Sequence, residues 1–460
     1  MKVHPIAVAV ALTLAHGPAL AQDSEIAKIR QEIQQIRDAY EKRIQALEQR
    51  LADTEARASH AEQTASGAQQ TASAAQHQSA ATAFNPAVSL ILNGTYARTS
   101  QDPNAYRITG FLPSGGEVGP PRRSFGLGES ELAMSANIDP YFRGAMFLSL
   151  APDDTVAVEE AYFQTLALPQ ALTLKGGRFL SGIGYQNEIH AHAWDFQDAP
   201  LPYKAFLGGR LRQDGLQLRW LAPTDTFLEL GAELSSGDQF PGNDRNKNGA
   251  GGAALFGHLG GDIGESYAWR AGVSHFRTSA RDRAYQDLNA TGATVTNSYT
   301  GNARLWAIDG VLKWAPNGNA YDTNFKLQGE YFRMTQDGTL AYDVATPGPL
   351  GALSARQSGW YVQGVWQFMP RWRVGYRYDA LSHGSFNNAL LADPAVGAAN
   401  LPLLAAYNPT RNTIMTDWSP TEFSRIRLQF AADKSRLGAT DRQIMLQYIY
   451  SLGQHGAHKF

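Results

Sequence analysis

The sequence predicts an all-β fold: a transmembrane antiparallel β-barrel of about sixteen strands, preceded by a signal peptide and a short α-helical coiled coil. Three observations carry that expectation. They are a secretory leader, period-two alternation in segments of roughly ten residues, and short turns recurring between those segments.

The leader comes first. MKVHPIAVAVALTLAHGPALAQ has a basic start at Lys2, an apolar run from Ile6 to Leu14 and the small-residue pattern Ala19-Leu20-Ala21, so residues 1–21 read as a signal peptide. The sequence contains no cysteine, which removes disulfides, thiolate nucleophiles and cysteine–zinc centres. A net charge of −2 with 18% charged residues supplies no broad basic field, which argues against nucleic acid as a partner. Beyond the leader no run reaches the ~18 apolar residues of a membrane helix, so a membrane crossing must use strands.

Residues 22–53 read as a coiled coil. Ile26, Ile29, Ile33, Ile36 and Tyr40 alternate spacings of three and four and form one helical stripe. The stripe continues through Ile44, Leu47 and Leu51 after a stutter, and isoleucine at both seam positions favours trimers or tetramers. The alternative is one amphipathic helix lying on the body of its own chain. Residues 54–83, TEARASHAEQTASGAQQTASAAQHQSAATA, are too poor in large apolar side chains to bury a core and read as a polar tether with solvated His60 and His77. The composition shifts at Phe84, and residues 84–460 read as one β unit.

Within that unit apolar and polar residues alternate. Leu132, Met134, Ala136 and Ile138 fall opposite Glu129, Glu131, Ser135 and Asn137; Leu216, Leu218 and Trp220 fall opposite Gln217 and Arg219. Leu228, Leu230 and Leu234 oppose Glu229 and Glu233; Trp372, Val374, Tyr376 and Tyr378 oppose Arg373, Arg377 and Asp379; and Ile444, Leu446, Tyr448 and Tyr450 oppose Met445, Gln447 and Ile449. Lipid on one side and water on the other produces this pattern, although soluble sandwiches alternate too. The turns discriminate better. Asp139-Pro140, Leu168-Pro169-Gln170, Ala222-Pro223-Thr224-Asp225, Gly264-Glu265-Ser266, Pro316-Asn317-Gly318, Met369-Pro370-Arg371 and Ser419-Pro420-Thr421 punctuate the segments, mostly with longer glycine-rich connections between them. Trp194, Trp269, Trp314, Trp360, Trp372 and Trp418 lie near segment ends, as interfacial girdles require, and the chain closes on an aromatic residue, Phe460.

Together, the leader, coiled coil, tether and barrel-sized unit resemble trimeric Gram-negative porins with an N-terminal coiled coil, the DcaP-like family, and more distantly the phosphate-selective porins. Sequences of this kind are also named zinc-regulated TonB-dependent outer-membrane receptors; the TonB half of that name implies a plugged barrel of about 22 strands, longer than this chain allows. The resemblance implies an outer-membrane location with the coiled coil in the periplasm. It also implies a homotrimer, contact with lipid and lipopolysaccharide, assembly by the barrel-assembly machinery, and no cofactor. The stretch that carries it best runs LKGGRFLSGIGYQNEIHAHAWDFQDAPLPYKAFLGGRLRQDGLQLRW, which looks like strand, infolded loop and returning strand.

Residues 181–213 then form a loop far beyond hairpin length, placed to narrow a pore. The expected constriction comprises Arg178, Glu188, His190, His192, Asp195, Asp198, Arg210 and Arg212. The expected wall comprises Glu129, Glu131, Arg219, Glu229, Glu233, Arg270, Arg373, Arg377, Arg425 and Arg427, with Lys175 and Glu330 also in the lumen. Walls of opposite sign either set a transverse field or pair with each other and stiffen the barrel. His190 and His192 sit among carboxylates, so the segment has three readings: a constriction, an internally bonded loop, or a metal site.

Two weaker signals remain. Asp244 to Gly249 begins like a calcium loop but carries Leu255 where glutamate is required, and His455 and His458 sit in a terminal tail. No catalytic triad stands out, so the expectation is a non-enzymatic channel for small polar or anionic solutes. The rivals are an uptake receptor linked to zinc or another metal, and a structural barrel that anchors a periplasmic coiled coil.

Overall fold

The computed structural model describes residues 86–453 other than 116–117 and 346–347, together with the isolated Gln34. The signal peptide, the coiled coil, the tether, His455, His458 and Phe460 lie outside the described residues.

Seventeen strand segments follow one another: β1 (Ala87–Thr99), β2 (Ser124–Leu127), β3 (Ser130–Asn137), β4 (Phe142–Leu150), β5 (Val156–Thr165), β6 (Leu172–Leu180), β7 (Arg212–Leu221), β8 (Phe227–Ser235) and β9 (Gly252–Ile263). They continue as β10 (Tyr267–Leu288), β11 (Thr294–Trp314), β12 (Asn324–Ala341), β13 (Leu350–Met369), β14 (Trp372–Asn388), β15 (Thr410–Thr421), β16 (Ser424–Lys434) and β17 (Asp441–Gly453). Every neighbour pairing is antiparallel. β2 and β3 both pair with β1, through Gly94 to Leu127 and Ile91 to Glu131, so they are halves of one strand interrupted at Gly128 and Glu129. The sheet therefore has sixteen positions, and it closes on itself where β1 pairs with β17 from Ser89–Gly453 to Thr99–Gln443. Closure leaves no unpaired edge, which is what a sheet in lipid requires.

The alternation read from the sequence maps onto the two faces. Ile308 is 59% exposed and its neighbour Asp309 only 3%, and the same contrast separates Leu216 and Leu218 from Gln217 and Tyr376 from Arg377. The apolar face points outward and the polar face inward, where other chain segments cover it. Turns and loops segregate as expected. One end of the ring carries the chain ends of β1 and β17 and the connections 138–141, 166–171, 222–226, 264–266, 315–323, 370–371 and 422–423; the other end carries the rest. The last turn is displaced from the expected one: the chain reverses at Glu422 and Phe423, while Ser419 and Pro420 occupy a register irregularity of the β15–β16 pair. Proline lacks the N–H a ladder needs, so it marks a disturbed strand end as readily as a turn. Trp194 also departs from expectation, lying buried inside the barrel and not at a girdle.

The wall is uneven. β10 to β14 have 17 to 22 residues each, whereas the remaining strands, apart from the short β2, have 8 to 13. The main apolar core sits inside the barrel. Residues 181–211 leave β6 and return to β7, carrying the two-turn helix α1 (Leu201–Leu207), every residue of which is buried. Leu201, Tyr203, Phe206 and Leu207 pack with Phe276, Phe332, Met334 and Leu381 of the inner wall. Burying such side chains is worth about 1.5–3 kcal/mol each, enough to hold the segment inside the lumen.

Candidate functional site

The infolded segment 181–211 is two residues shorter than the expected 181–213, because Arg212 already belongs to β7. Asn187 ties its two ends together: its Nδ2 donates to the carbonyls of Ser181 (2.7 Å) and Leu211 (2.9 Å), and its Oδ1 accepts from the Leu211 N–H (2.7 Å). From that clasp the chain crosses the lumen and meets strands around the ring.

Near its start Ser181 Oγ and the Gly182 N–H donate to the Glu233 carboxylate on β8 at 2.6 and 2.8 Å. The buried Glu330 of β12 then accepts the N–H groups of Tyr185 (3.2 Å) and Gln186 (3.0 Å) and the hydroxyls of Tyr203 (2.9 Å) and Tyr361 (2.6 Å). Gly184 has φ +69, and a Cβ there would stand 2.3 Å from Glu330 Oε2, so only glycine fits this close approach. Glu188 pairs with Arg219, which also reaches Glu229 at 3.1 Å, and Glu229 lies 3.0 Å from His258 Nδ1. Beside these groups lies a cavity of about 480 Å³ lined by Tyr185, Glu188, Ile189, Arg219, Glu229 and Arg270.

His190 meets an acidic wall. Its Nδ1 lies 2.8 Å from Glu131 Oε2 of β3 and 3.4 Å from Glu159 Oε2 of β5, and its Nε2 lies 2.9 Å from Glu160 Oε2. His192 Nδ1 lies 3.4 Å from the same Glu131 oxygen, and Arg210 bridges Glu159 and Glu129, the latter at 3.1 Å. Burial pushes the His190 pKa down, but the three carboxylates outweigh it and hold it well above the usual histidine value. Strict alternation cannot turn both Glu159 and Glu160 inward. A β-bulge does so: Phe147 pairs with Glu160 and Leu148 with Val158, leaving Glu159 as the extra residue.

Further along the ring, beyond β1 and β17, lies a basic wall. Arg425 and Arg427 of β16 donate to the carbonyls of His192 (2.5 Å) and Trp194 (2.9 Å), and Arg377 of β14 donates to the Asp198 carbonyl at 2.8 Å. Asp195 pairs with Lys326 and with Arg373 (3.1 Å). Asp198 pairs with Arg377 (3.2 Å), with Arg411 of β15, and with Lys204 of the loop itself (2.9 Å). Burial pushes both aspartates up, yet the surrounding cations hold both carboxyls below the usual range, Asp198 well below it.

Of the expected constriction residues, the structure thus brings Glu188, His190, His192, Asp195, Asp198 and Arg210 inside. Arg178 and Arg212 are placed elsewhere. They share the parity of the outward Leu216; Arg178 pairs with Asp214 at 2.6 Å, and Arg212 donates to the Val158 carbonyl at 3.2 Å. Among the expected wall residues, Arg219, Glu229, Glu233, Arg373, Arg377, Arg425 and Arg427 touch the loop or its partners, Arg270 stacks on Tyr185 at 5.3 Å, and Glu129 lies at the β2–β3 break. Sequence reasoning missed Arg411, Lys204, Lys326, Asn187, Glu159 and Glu160. Arg411 was within reach, since Arg411, Thr413, Met415 and Asp417 alternate with Asn412, Ile414 and Thr416. The Asp244 to Gly249 segment forms a local turn, with the Asn246 N–H donating to Asp244 Oδ1 at 2.9 Å.

No protein-family model matches the chain. An uncharacterised protein of Aquifex aeolicus is 29% identical over 419 residues, covering 82% of this chain and 80% of that one. Among solved structures, OprB of Pseudomonas putida is similar with a TM-score of 0.50 and 13% identity, covering 80% of this chain and 94% of that chain. The outer membrane channel DcaP of Acinetobacter baumannii matches 80% of this chain and 97% of its own at 12% identity, with a TM-score of 0.45. The likeness to OprB supports the closed sixteen-strand barrel independently of the sequence pattern.

Proposed function

We propose that this chain is an outer-membrane channel for the passive diffusion of small polar solutes, anionic ones favoured, and that it performs no covalent chemistry. One observation carries the reading: a closed ring, apolar outside and charged inside, is crossed by a loop suspended between an acidic wall on β3 and β5 and a basic wall on β14 to β16. Such a pair of walls sets a field across the lumen, and arginines dominate on the side whose strands end the chain. Assembly as a homotrimer, with the isoleucine-seamed coiled coil in the periplasm, belongs to the same reading and is supported by the stripe from Ile26 to Leu51.

The test is conductance of the purified protein in planar bilayers, in symmetric salt and then across a salt gradient. Steps grouped in threes with an anion-leaning reversal potential are expected, and removal of residues 183–209 should raise the step size severalfold. Silence from a folded barrel, with or without the loop, overturns the channel reading in favour of a structural anchor.

A further inference from the structure

We propose that Glu131, His190 and His192 form a binding site for a divalent transition-metal ion of the zinc type, and that the ion fastens the loop to the acidic wall. The inference deepens the channel reading, since the ion would sit where the lumen is crossed.

The geometry leads to it. One oxygen of Glu131 and one ring nitrogen from each histidine lie within 4.8 Å of one another. A tetrahedral zinc ion with bonds of ~2.0–2.1 Å places its ligand atoms about 3.3–3.4 Å apart. His192 Nδ1 stands 3.4 Å from Glu131 Oε2, and His190 Nδ1 stands 3.4 Å from Glu159 Oε2, close to that edge length. The 2.8 Å between His190 Nδ1 and Glu131 Oε2 has only to open by a few tenths of an ångström.

Two further features point to a ligand. Glu159 Oε2 is buried and its approach to His190 Nδ1, at 3.4 Å, is longer than an ordinary hydrogen bond, so this carboxylate oxygen is poorly satisfied; it is the candidate fourth ligand. Glu160 Oε2 holds the other nitrogen of His190 at 2.9 Å, the carboxylate–histidine arrangement that orients metal ligands from behind. The β5 bulge thus supplies one carboxylate for the ion and the next for its ligand. Charge agrees: Glu129, Glu131, Glu159 and Glu160 converge on a region where Arg210 pairs with Glu129 and Glu159 and Lys175 acts on Glu160, so four carboxylates outnumber these two cations and a doubly charged ion is compensated. Two imidazoles with carboxylates suit zinc, cobalt or nickel and not calcium or magnesium, which take oxygen ligands alone.

The experiment uses the full-length protein in detergent, stripped with a chelator and titrated with zinc chloride by calorimetry, with X-ray absorption at the zinc edge on the loaded sample. One zinc per chain with two imidazoles in its shell is expected. Glu131→Gln and His192→Asn should each weaken binding by on the order of tenfold or more, and retained heat-modifiable migration in gels reports that each barrel still folds. The inference is overturned by absence of binding at 100-fold excess zinc over protein, by a shell without imidazole, or by folded variants that bind as tightly as the parent. Binding is read without conductance, so a conducting protein that ignores zinc sinks this inference alone, and a silent protein that binds zinc sinks the channel reading alone.

Discussion

The two walls hold the same loop by different chemistry. The acidic wall grips side chains: His190 is met by carboxylates of Glu131, Glu159 and Glu160, with His192 beside it. The basic wall grips the main chain as well, through arginines on the carbonyls of His192, Trp194 and Asp198, and closes on two buried aspartates. A carbonyl is present whatever residue occupies the position, so the basic wall tolerates change in the loop except at Asp195 and Asp198. The acidic wall depends on two particular imidazoles.

The largest effect should come from Asp198→Asn. Arg377 and Arg411 have fully buried side chains and Lys204 is nearly so; removing their shared anion takes the carboxylate from Lys204 and leaves Arg377 to Asp379 (3.1 Å) and Arg411 to Asp433 (3.4 Å), a class of change that costs about 3 to 5 kcal/mol. The loop should become susceptible to limited proteolysis and channel conductance should rise, while a loop as protected as in the parent would refute the assignment of Asp198 as its main fastening.

The next effect is pH dependence in chelator-treated protein, where the walls should respond in opposite senses. Asp198 has a depressed pKa when docked, so its contribution is present above the free aspartate value of about 3.9 and fades as pH falls through the docked value. His190, facing Glu131, Glu159, Glu160, His192 and nearby Arg210, has a raised pKa; its contribution is complete below the free histidine value of about 6.5 and fades as pH rises through the docked value. Fluorescence of the buried Trp194, which abuts the basic wall by its carbonyl and Arg210 by its ring, should change at both extremes and stay level between them. A single transition would show that one wall alone governs the loop.

The smallest effect is expected for Arg427→Lys. The charge near Asp417 persists, but the guanidinium, whose Nη2 reaches both Asp417 (3.2 Å) and the Trp194 carbonyl while its Nη1 reaches Gln447 (3.5 Å), gives way to a single ammonium, a difference of roughly 1 kcal/mol measurable as a modest fall in thermal midpoint.

How much of this was legible in the sequence follows from what alternation encodes. Leu216 against Gln217 and Tyr376 against Arg377 gave the faces of the strands, because a two-residue period needs no knowledge of partners. Turn chemistry located six of the seven short reversals and failed at Ser419-Pro420, where proline sits in a strand irregularity. The long connection after β6 declared itself by length, and its histidines and aspartates by composition. Arg212 was misplaced because parity was not carried into a segment thought to be loop, and Arg178 because it was set on the lumen face with Lys175, three residues away and therefore of opposite parity. Glu159 and Glu160 were invisible for a deeper reason: a bulge is an exception to the period that made everything else readable, and nothing local in VAVEEAYFQT announces it.

The path of residues 181–211 has a mechanical consequence. Its fastenings to β3, β5, β7, β8, β12, β14, β15 and β16 act as spokes between opposite parts of a rim. A bare ring of sixteen strands flattens easily under lateral pressure, because only its ladder bonds resist ovalisation. A spoked ring keeps its cross-section round.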